Sequence, residues 1–131
     1  MHTRSQVIAE VNQLRRTNPD AIRENAIEPL VRGVASHHAG CLPAWKLFIE
    51  KLFQKGLLKV VISTETLAAG INMPARTAVI KACAKNIGGM IEPLPCSSLM
   101  QMAGRAGRRG LDTQGLTNIS RTPMCVYVFL L

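Results

Sequence analysis

Aromatic side chains are scarce in this chain of 131 residues: phenylalanine, tyrosine and tryptophan together make up 4% of it. Stacking of bases on aromatic rings needs more of them, so it is excluded as the main way of holding nucleic acid. Acidic residues are also few, with 8 Asp and Glu against 16 Lys and Arg, a formal net charge of +8. Apolar residues make up 47% of the chain, which is enough for a packed core and excludes a disordered basic tail.

Paired cysteines and long apolar runs are missing as well. Cys41, Cys83, Cys96 and Cys125 form no Cys-x-x-Cys pair and match no zinc spacing, so we expect free buried thiols in a reducing compartment and no metal site. The apolar tail 126–131 is far shorter than the roughly 20 residues of a membrane-spanning helix, and no secretory signal is recognisable. We therefore expect an intracellular protein with no membrane partner; plastid, nucleus and cytoplasm stay open.

The positive charge is concentrated in the second part of the chain. Residues 1–50 carry six basic and five acidic side chains, a net of +1, whereas residues 51–131 carry ten basic and three acidic ones, a net of +7. A solvated surface is one interpretation. The other is an anionic partner: a nucleotide, a nucleic acid, or both. The length allows one small domain and is too short for a two-domain motor enzyme.

Apolar periodicity predicts two helices and a strand in the first 40 residues. The first helix is expected over 5–17, and a second one from Pro19 to about Leu30, with Gly33 as its C-terminal cap. The small residues that follow predict a buried strand that ends at His37-His38. A structural role for the two histidines is favoured over contact with a ligand.

The next segments predict a doubly wound α/β domain. A helix that begins at Pro43 carries one apolar stripe, interpreted as core rather than as a stacking platform; its residues are Trp45, Phe48, Ile49, Leu52 and Phe53. Leu57–Ser63 predicts a strand covered on both faces, and Thr77–Ala82 a second strand. Because ligands bind beyond the carboxyl ends of such strands, we expect the chemistry just after Ser63 and near the later basic cluster.

Two segments carry residues suited to phosphate chemistry. Residues 64–75 (Thr-Glu-Thr-Leu-Ala-Ala-Gly-Ile-Asn-Met-Pro-Ala) combine hydroxyls with small residues that allow another backbone to approach closely. The same residues also fit a helix N-cap followed by a turn, and the sequence alone does not separate the two interpretations. Residues 101–110 (Gln-Met-Ala-Gly-Arg-Ala-Gly-Arg-Arg-Gly) interleave three arginines with three glycines. Arg105 and Arg108 are three apart, so on a helical turn they would project together, as an arginine finger on a γ-phosphate requires.

Together these two segments resemble motifs V and VI of superfamily-two RNA helicases, in the DExH-box, superkiller-like and exosome-helicase group. The stretch 33–43, Gly-Val-Ala-Ser-His-His-Ala-Gly-Cys-Leu-Pro, is similar to the one that precedes motif V there. Two short segments, Cys-Leu-Pro-Ala-Trp-Lys at 41–46 and Leu-Ala-Ala-Gly at 67–70, are most similar to plastid and cyanobacterial-type members. The resemblance runs from about residue 10 to about residue 115.

The resemblance implies a role for each motif residue. On motif V, Thr64, Glu65 and Thr66 would lie near the RNA strand, and Gly70 and Asn72 near the nucleotide at the domain interface. On motif VI, Gln101 would couple to the γ-phosphate region. Arg105 and Arg108 would contact phosphate beside Gly104, with Arg108 as the finger, and Arg109 would face solvent or RNA.

The resemblance also implies a partial RecA-like domain: an α/β fold with a mostly parallel sheet flanked by helices. We divide it into a helical lead-in (1–32), the core of the second RecA-like domain (33–115) and a divergent tail (116–131). The sequence contains neither a Gly-Lys-Ser/Thr phosphate loop nor an Asp-Glu-x-His segment, so ATP and its Mg²⁺ would need the first RecA-like domain as partner.

Two functions follow. The first is a fragment of an ATP-dependent RNA helicase, inactive alone; whether the chain by itself is an enzyme stays open. The alternative is a non-catalytic RNA-binding or interaction module derived from a helicase.

Overall fold

The computed structural model describes residues 2–64, 74–81, 84–88, 90–120 and 127–131. The helices are α1 (His2–Thr17), α2 (Glu24–Val31), α3 (Pro43–Gln54) and α4 (Cys96–Ala103). The strands are β1 (Val34–His37), β2 (Val60–Ser63), β3 (Thr77–Ile80), β4 (Ala84–Ile87), β5 (Met90–Pro93), β6 (Leu116–Ile119) and β7 (Tyr127–Leu130).

The first helix is confirmed, but the second begins later than predicted. Pro19–Ala21 forms only a short 3-10 turn, after which Ile22 is extended, with φ −69° and ψ 130°. Arg23 is extended too, and its Nη1 lies 3.2 Å from His38 Nε2 and 3.1 Å from Cys41 Sγ. The two extended residues interrupt the helix because this conformation cannot carry the i to i−4 hydrogen bonds. The prediction of one helix from Pro19 to Leu30 is therefore wrong at its start.

Helix α3 contributes five buried residues to the core, as its apolar stripe predicted. Pro43 occupies the first turn, where its missing N–H is not needed. The predicted stripe is almost completely buried, with exposures of 6% or less; its members are Trp45, Phe48, Ile49, Leu52 and Phe53. Gly56, at φ +70°, lets the chain turn away after the helix. The interpretation of the aromatic rings as core is confirmed.

Five strands form one mixed sheet in the order β1-β2-β7-β3-β6. The β1–β2 and β3–β6 pairs are parallel, whereas β7 runs antiparallel to both of its neighbours, β2 and β3. Four strands therefore share one direction, and the α/β class with a mostly parallel sheet is confirmed. The tail contributes β6 and β7 to this sheet, and the three-part division of the chain stays a prediction.

One face of the sheet is buried in the described structure. Neighbouring positions of four strands form an apolar row with exposures of 6% or less; its members are Ala35, Val61, Phe129 and Ala78. On the opposite face of β2, Ile62 is 40% exposed. Successive residues of a strand point to opposite faces, and α3 lies on the face of His37. The expected cover on both faces of β2 is therefore wrong within the described residues.

Outside the sheet, β4 and β5 form a separate antiparallel hairpin. Cys41 is buried and free as predicted, but Cys96 is free and exposed, so the expectation of buried thiols is wrong there. Cys83 and Cys125 lie outside the described residues. Among the residues described, no His, Cys, Asp or Glu group could hold a metal ion. In that same part of the chain, none of the helices combines the length and apolar character of a membrane span.

Candidate phosphate and nucleic-acid site

The arginine segment begins where α4 ends. The N–H of Gly104 donates to Met100 O at 2.8 Å, and the helix stops at Ala103. Gly107 then has φ +90°, a conformation that L side chains rarely adopt. Arg105 and Arg108 are therefore separated by a turn, and the helical relation predicted between them is wrong. The conformation of this turn, rather than helical spacing, sets their directions.

The end of the first motif and the arginine segment are hydrogen-bonded to each other. The N–H of Ala75 donates to the carbonyl of Arg105 at 2.9 Å, and the N–H of Gly107 donates to the carbonyl of Ala75 at 2.7 Å. These bonds form a parallel bridge between Ala75 and Ala106, just before β3 begins. Two segments about 30 residues apart are thereby joined by two backbone hydrogen bonds.

Gly115 packs closely against the backbone of this turn. A Cβ built on Gly115 would lie 2.5 Å from the carbonyl carbon and oxygen of Ala106 and 2.6 Å from the Gly107 nitrogen. Only glycine lets the chain pass so close to another backbone. Sequence reasoning did not single out Gly115; its one signal is a glycine that follows a polar turn and precedes β6.

Arg108 is held by a carboxylate that sequence reasoning also missed. Its Nε and Nη2 donate to the two carboxylate oxygens of Asp112, each at 2.8 Å. The Arg108 N–H donates to Asp112 Oδ2 at 3.0 Å. These hydrogen bonds from Arg108 lower the pKa of Asp112 from 3.8 to about 2, and the same pair raises the pKa of Arg108. The signal was the i, i+4 spacing of opposite charges.

A cavity of about 610 Å³ lies beside this turn and is lined in part by Pro74, Arg108, Arg109 and Leu131. The volume is in the range of small-molecule sites. Arg109 is exposed, Arg105 and Arg108 are partly buried, and Gln101 is exposed on α4. Cationic side chains therefore border a concave surface at this end of the sheet.

The RNA-facing residues predicted on the first motif are only partly described. Thr64 is exposed just past the carboxyl end of β2, and its N–H contacts the carbonyl of His37 at 3.4 Å. Glu65, Thr66, Gly70 and Asn72 lie outside the described residues.

The start of the first motif and the arginine turn lie at different ends of the sheet. Ser63 is in register with Ile80 across β7, at the carboxyl ends of β2 and β3. The arginine turn instead adjoins Ala75 and Arg76, at the amino end of β3, because its backbone pairs with Ala75. The expectation that both lie beyond carboxyl ends is wrong for the arginines.

The histidine pair lies at the carboxyl end of β1, where His37 is the last residue of the strand. His37 is 1% exposed and donates from Nε2 to Glu50 Oε1 at 2.9 Å, which ties β1 to α3. His38 accepts at Nδ1 from the N–H of Gly40 at 3.1 Å. The favoured structural role is confirmed for His37, since its ring has no surface to offer a ligand.

Comparison with known proteins places these motifs in a family. Residues 2–110 match the helicase conserved C-terminal domain. The chain is 57% identical over 119 residues to DExH-box ATP-dependent RNA helicase DExH15, chloroplastic, of Arabidopsis thaliana. The aligned region covers 91% of this chain and 10% of that protein. It is 51% identical over 88 residues to human superkiller complex protein 2, covering 67% of this chain and 7% of that protein.

A yeast relative agrees: the antiviral helicase SKI2 of Saccharomyces cerevisiae is 44% identical over 102 residues, 76% of this chain and 8% of that protein. The chain thus spans about a tenth or less of the length of these relatives. With a matched domain that covers most of its length, the chain belongs to the helicase conserved C-terminal domain family, in the superkiller-like group of DExH-box RNA helicases.

Proposed function

We propose that this chain supplies the nucleotide-phosphate and RNA contacts of the second RecA-like domain in an ATP-dependent RNA helicase. The observation that carries the proposal is the backbone bridge between Ala75 and Ala106, which holds Arg105 and Arg108 against the end of the first motif. In this role Arg105 and Arg108 contact the phosphates of ATP, with Gln101 and Gly104 beside them, and Gly70 and Asn72 approach the nucleotide from motif V.

The residues present fit a phosphate group. Guanidinium groups offer planar sets of N–H donors that match phosphate oxygens, and they stay charged at all physiological pH values. Among the described residues, acidic charge at the turn comes from Asp112, which is paired with Arg108, while Arg105 and Arg109 add positive charge. ATP, when bound, supplies the γ-phosphate whose charge these side chains offset.

ATP and Mg²⁺ need partners beyond the described residues. No group of ligands for a metal ion occurs among the described residues. Because the sequence contains neither a Gly-Lys-Ser/Thr phosphate loop nor an Asp-Glu-x-His segment, we assign the Mg²⁺ and the phosphate loop to the first RecA-like domain, the partner that completes the site. The chain alone is expected to hydrolyse no ATP.

RNA contact is assigned to the other end of the strands. Thr64 is exposed there, and Glu65 and Thr66 follow it in the chain. Arg109, exposed beside the phosphate site, adds a cationic contact. Binding through such groups is sequence-independent and weakens with salt. We infer an intracellular, reducing compartment from the free thiols of Cys41 and Cys96, and plastid, nucleus and cytoplasm stay open.

A chimera tests the proposed function directly. The matched segment of the Arabidopsis relative is replaced by this chain, and RNA-stimulated ATP hydrolysis is measured with and without Arg108→Ala. An arginine finger contributes about 10³- to 10⁵-fold to kcat, so we expect kcat to fall by about 10³-fold or more.

Arg32→Ala is the matched control, because Arg32 is an exposed arginine paired with Glu28 at the far end of α2. It should leave kcat unchanged. Hydrolysis that survives Arg108→Ala at full rate would refute the assigned phosphate role. An active RNA-binding chain in an inactive chimera would favour the non-catalytic module instead.

A further inference from the structure

We propose that Asp112 is a positioning residue: it holds the guanidinium of Arg108 by one edge and leaves the other edge available to a phosphate. The proposal rests on the proposed function, since it concerns how Arg108 is presented to the nucleotide.

The contact is made by one side of the guanidinium. Asp112 accepts from Nε and Nη2 of Arg108, both at 2.8 Å. A guanidinium carries five N–H groups in a rigid planar fork. The carboxylate uses two of them, so the hydrogens of Nη1 and the second hydrogen of Nη2 point away from Asp112. Arg108 can therefore bind an anion without releasing the carboxylate.

Asp112 itself is held in place by the turn. Its N–H donates to the carbonyl of Arg108 at 2.9 Å, and its Oδ2 accepts the Arg108 N–H at 3.0 Å. The Asp112 side chain is only 7% exposed, whereas that of Arg108 is 27% exposed. The carboxylate is thus a nearly buried anchor, whereas the Arg108 side chain that it holds is partly exposed.

A second arginine–carboxylate pair at the same spacing shows what an ordinary surface pair looks like. Arg32 and Glu28 are also four residues apart, but their side chains are 69% and 74% exposed, and only Arg32 Nη2 contacts the carboxylate. Such pairs contribute little, because solvent screens them and both side chains keep their freedom. The bidentate, part-buried geometry of Arg108 and Asp112 is the feature that suits positioning.

Positioning and simple charge predict opposite signs for one substitution. Removing the negative charge of Asp112 should strengthen phosphate binding if charge alone matters. If Asp112 orders Arg108, its loss frees a long side chain that must then be immobilised on binding, which weakens binding by about 3- to 10-fold. The sign of the change in affinity therefore separates the two explanations.

The first measurement follows the Arg108 Nε–Hε group by NMR in the full 131-residue chain. In the unsubstituted chain we expect a hydrogen protected from solvent exchange, and in Asp112→Asn an exchange at least about tenfold faster, from the loss of charge-assisted hydrogen bonds. Glu28→Gln, which removes the exposed pair, is the matched control and should leave Arg108 unchanged. Equal exchange in Asp112→Asn and the unsubstituted chain overturns the proposal.

The second measurement titrates inorganic pyrophosphate into the same samples. We expect Arg108 to respond while the Asp112 carboxyl resonance stays in place, and Asp112→Asn to bind pyrophosphate about 3- to 10-fold more weakly. Tighter binding by Asp112→Asn, or displacement of Asp112 by pyrophosphate, overturns the proposal and makes Asp112 a competitor.

Arg108→Lys keeps the charge but cannot present the same fork, and it should also bind pyrophosphate more weakly. Dispersed amide spectra of each variant show that the fold is intact. The failure of the two proposals is distinguishable. An Arg108-dependent chimera with unaltered Nε–Hε exchange in Asp112→Asn refutes positioning alone, whereas a chimera indifferent to Arg108→Ala refutes the phosphate role itself.

Discussion

Helix α3 and the arginine turn are stabilised in different ways. Along α3 the side chains of Trp45, Ile49 and Leu52 are 1% exposed or less, and apolar burial holds the helix on the sheet. The turn at 104–115 is held by backbone hydrogen bonds to Ala75, by the close approach of Gly115 and by one ion pair. Substitutions in α3 should therefore act on stability, whereas substitutions in the turn should act on the placement of the arginines.

The largest effect is expected in α3. Trp45→Ala should lower the free energy of unfolding by about 3–5 kcal/mol, because it removes a buried ring and leaves a cavity. Leu47→Ala, on the same helix but 65% exposed, should change it by less than about 0.5 kcal/mol. Urea unfolding monitored by circular dichroism measures both. Similar losses in the two variants would contradict apolar burial as the source of the stability that α3 provides.

A smaller effect is expected under the arginine turn. Gly115→Ala should lower the free energy of unfolding by about 1–3 kcal/mol and shift the amide resonances of Ala106 and Gly107, since its Cβ would collide with that backbone.

Gly110→Ala is the matched control, because nothing lies within 4 Å of its built Cβ and only its φ of +77° resists a side chain. It should cost about 1 kcal/mol and leave the resonances of Ala106 and Gly107 in place. Equal resonance shifts in the two variants would contradict the close approach at Gly115.

The smallest effect is expected from the ion pair, and it depends on pH. The pKa of Asp112 is lowered from 3.8 to about 2 in the folded chain by its bonds to Arg108. A lowered carboxyl pKa contributes stability that is fully present above the unfolded value and is lost as pH falls through the folded value.

The difference in midpoint of thermal unfolding between the unsubstituted chain and Asp112→Asn should therefore be constant above pH 3.8 and shrink towards pH 2. Carbon NMR of the Asp112 carboxyl group gives the titration directly. A midpoint at 3.8 or above would contradict the ion pair.

Sequence reasoning succeeded where the signal is local and periodic. The apolar stripe from Trp45 to Phe53 predicts a helix and its buried face, because residues three and four apart lie on one side of it. It failed where the position of an element depends on contacts with distant segments of the chain. The late start of α2 and the open face of β2 depend on what packs nearby, and the antiparallel insertion of β7 between β2 and β3 is not written in the apolar run 126–131.

The family, the α/β class and the two motif segments could be read from the sequence, because these depend on residue types in a fixed order. The folded chain adds three features: Ala75 pairs with the arginine turn, Gly115 approaches the backbone of that turn closely, and Asp112 holds Arg108. The difference arises from how far apart along the chain the interacting residues lie. Periodicity and motif order act over a few residues, whereas the place of a hydrogen bond between residues 75 and 105 is set by how the strands between them assemble.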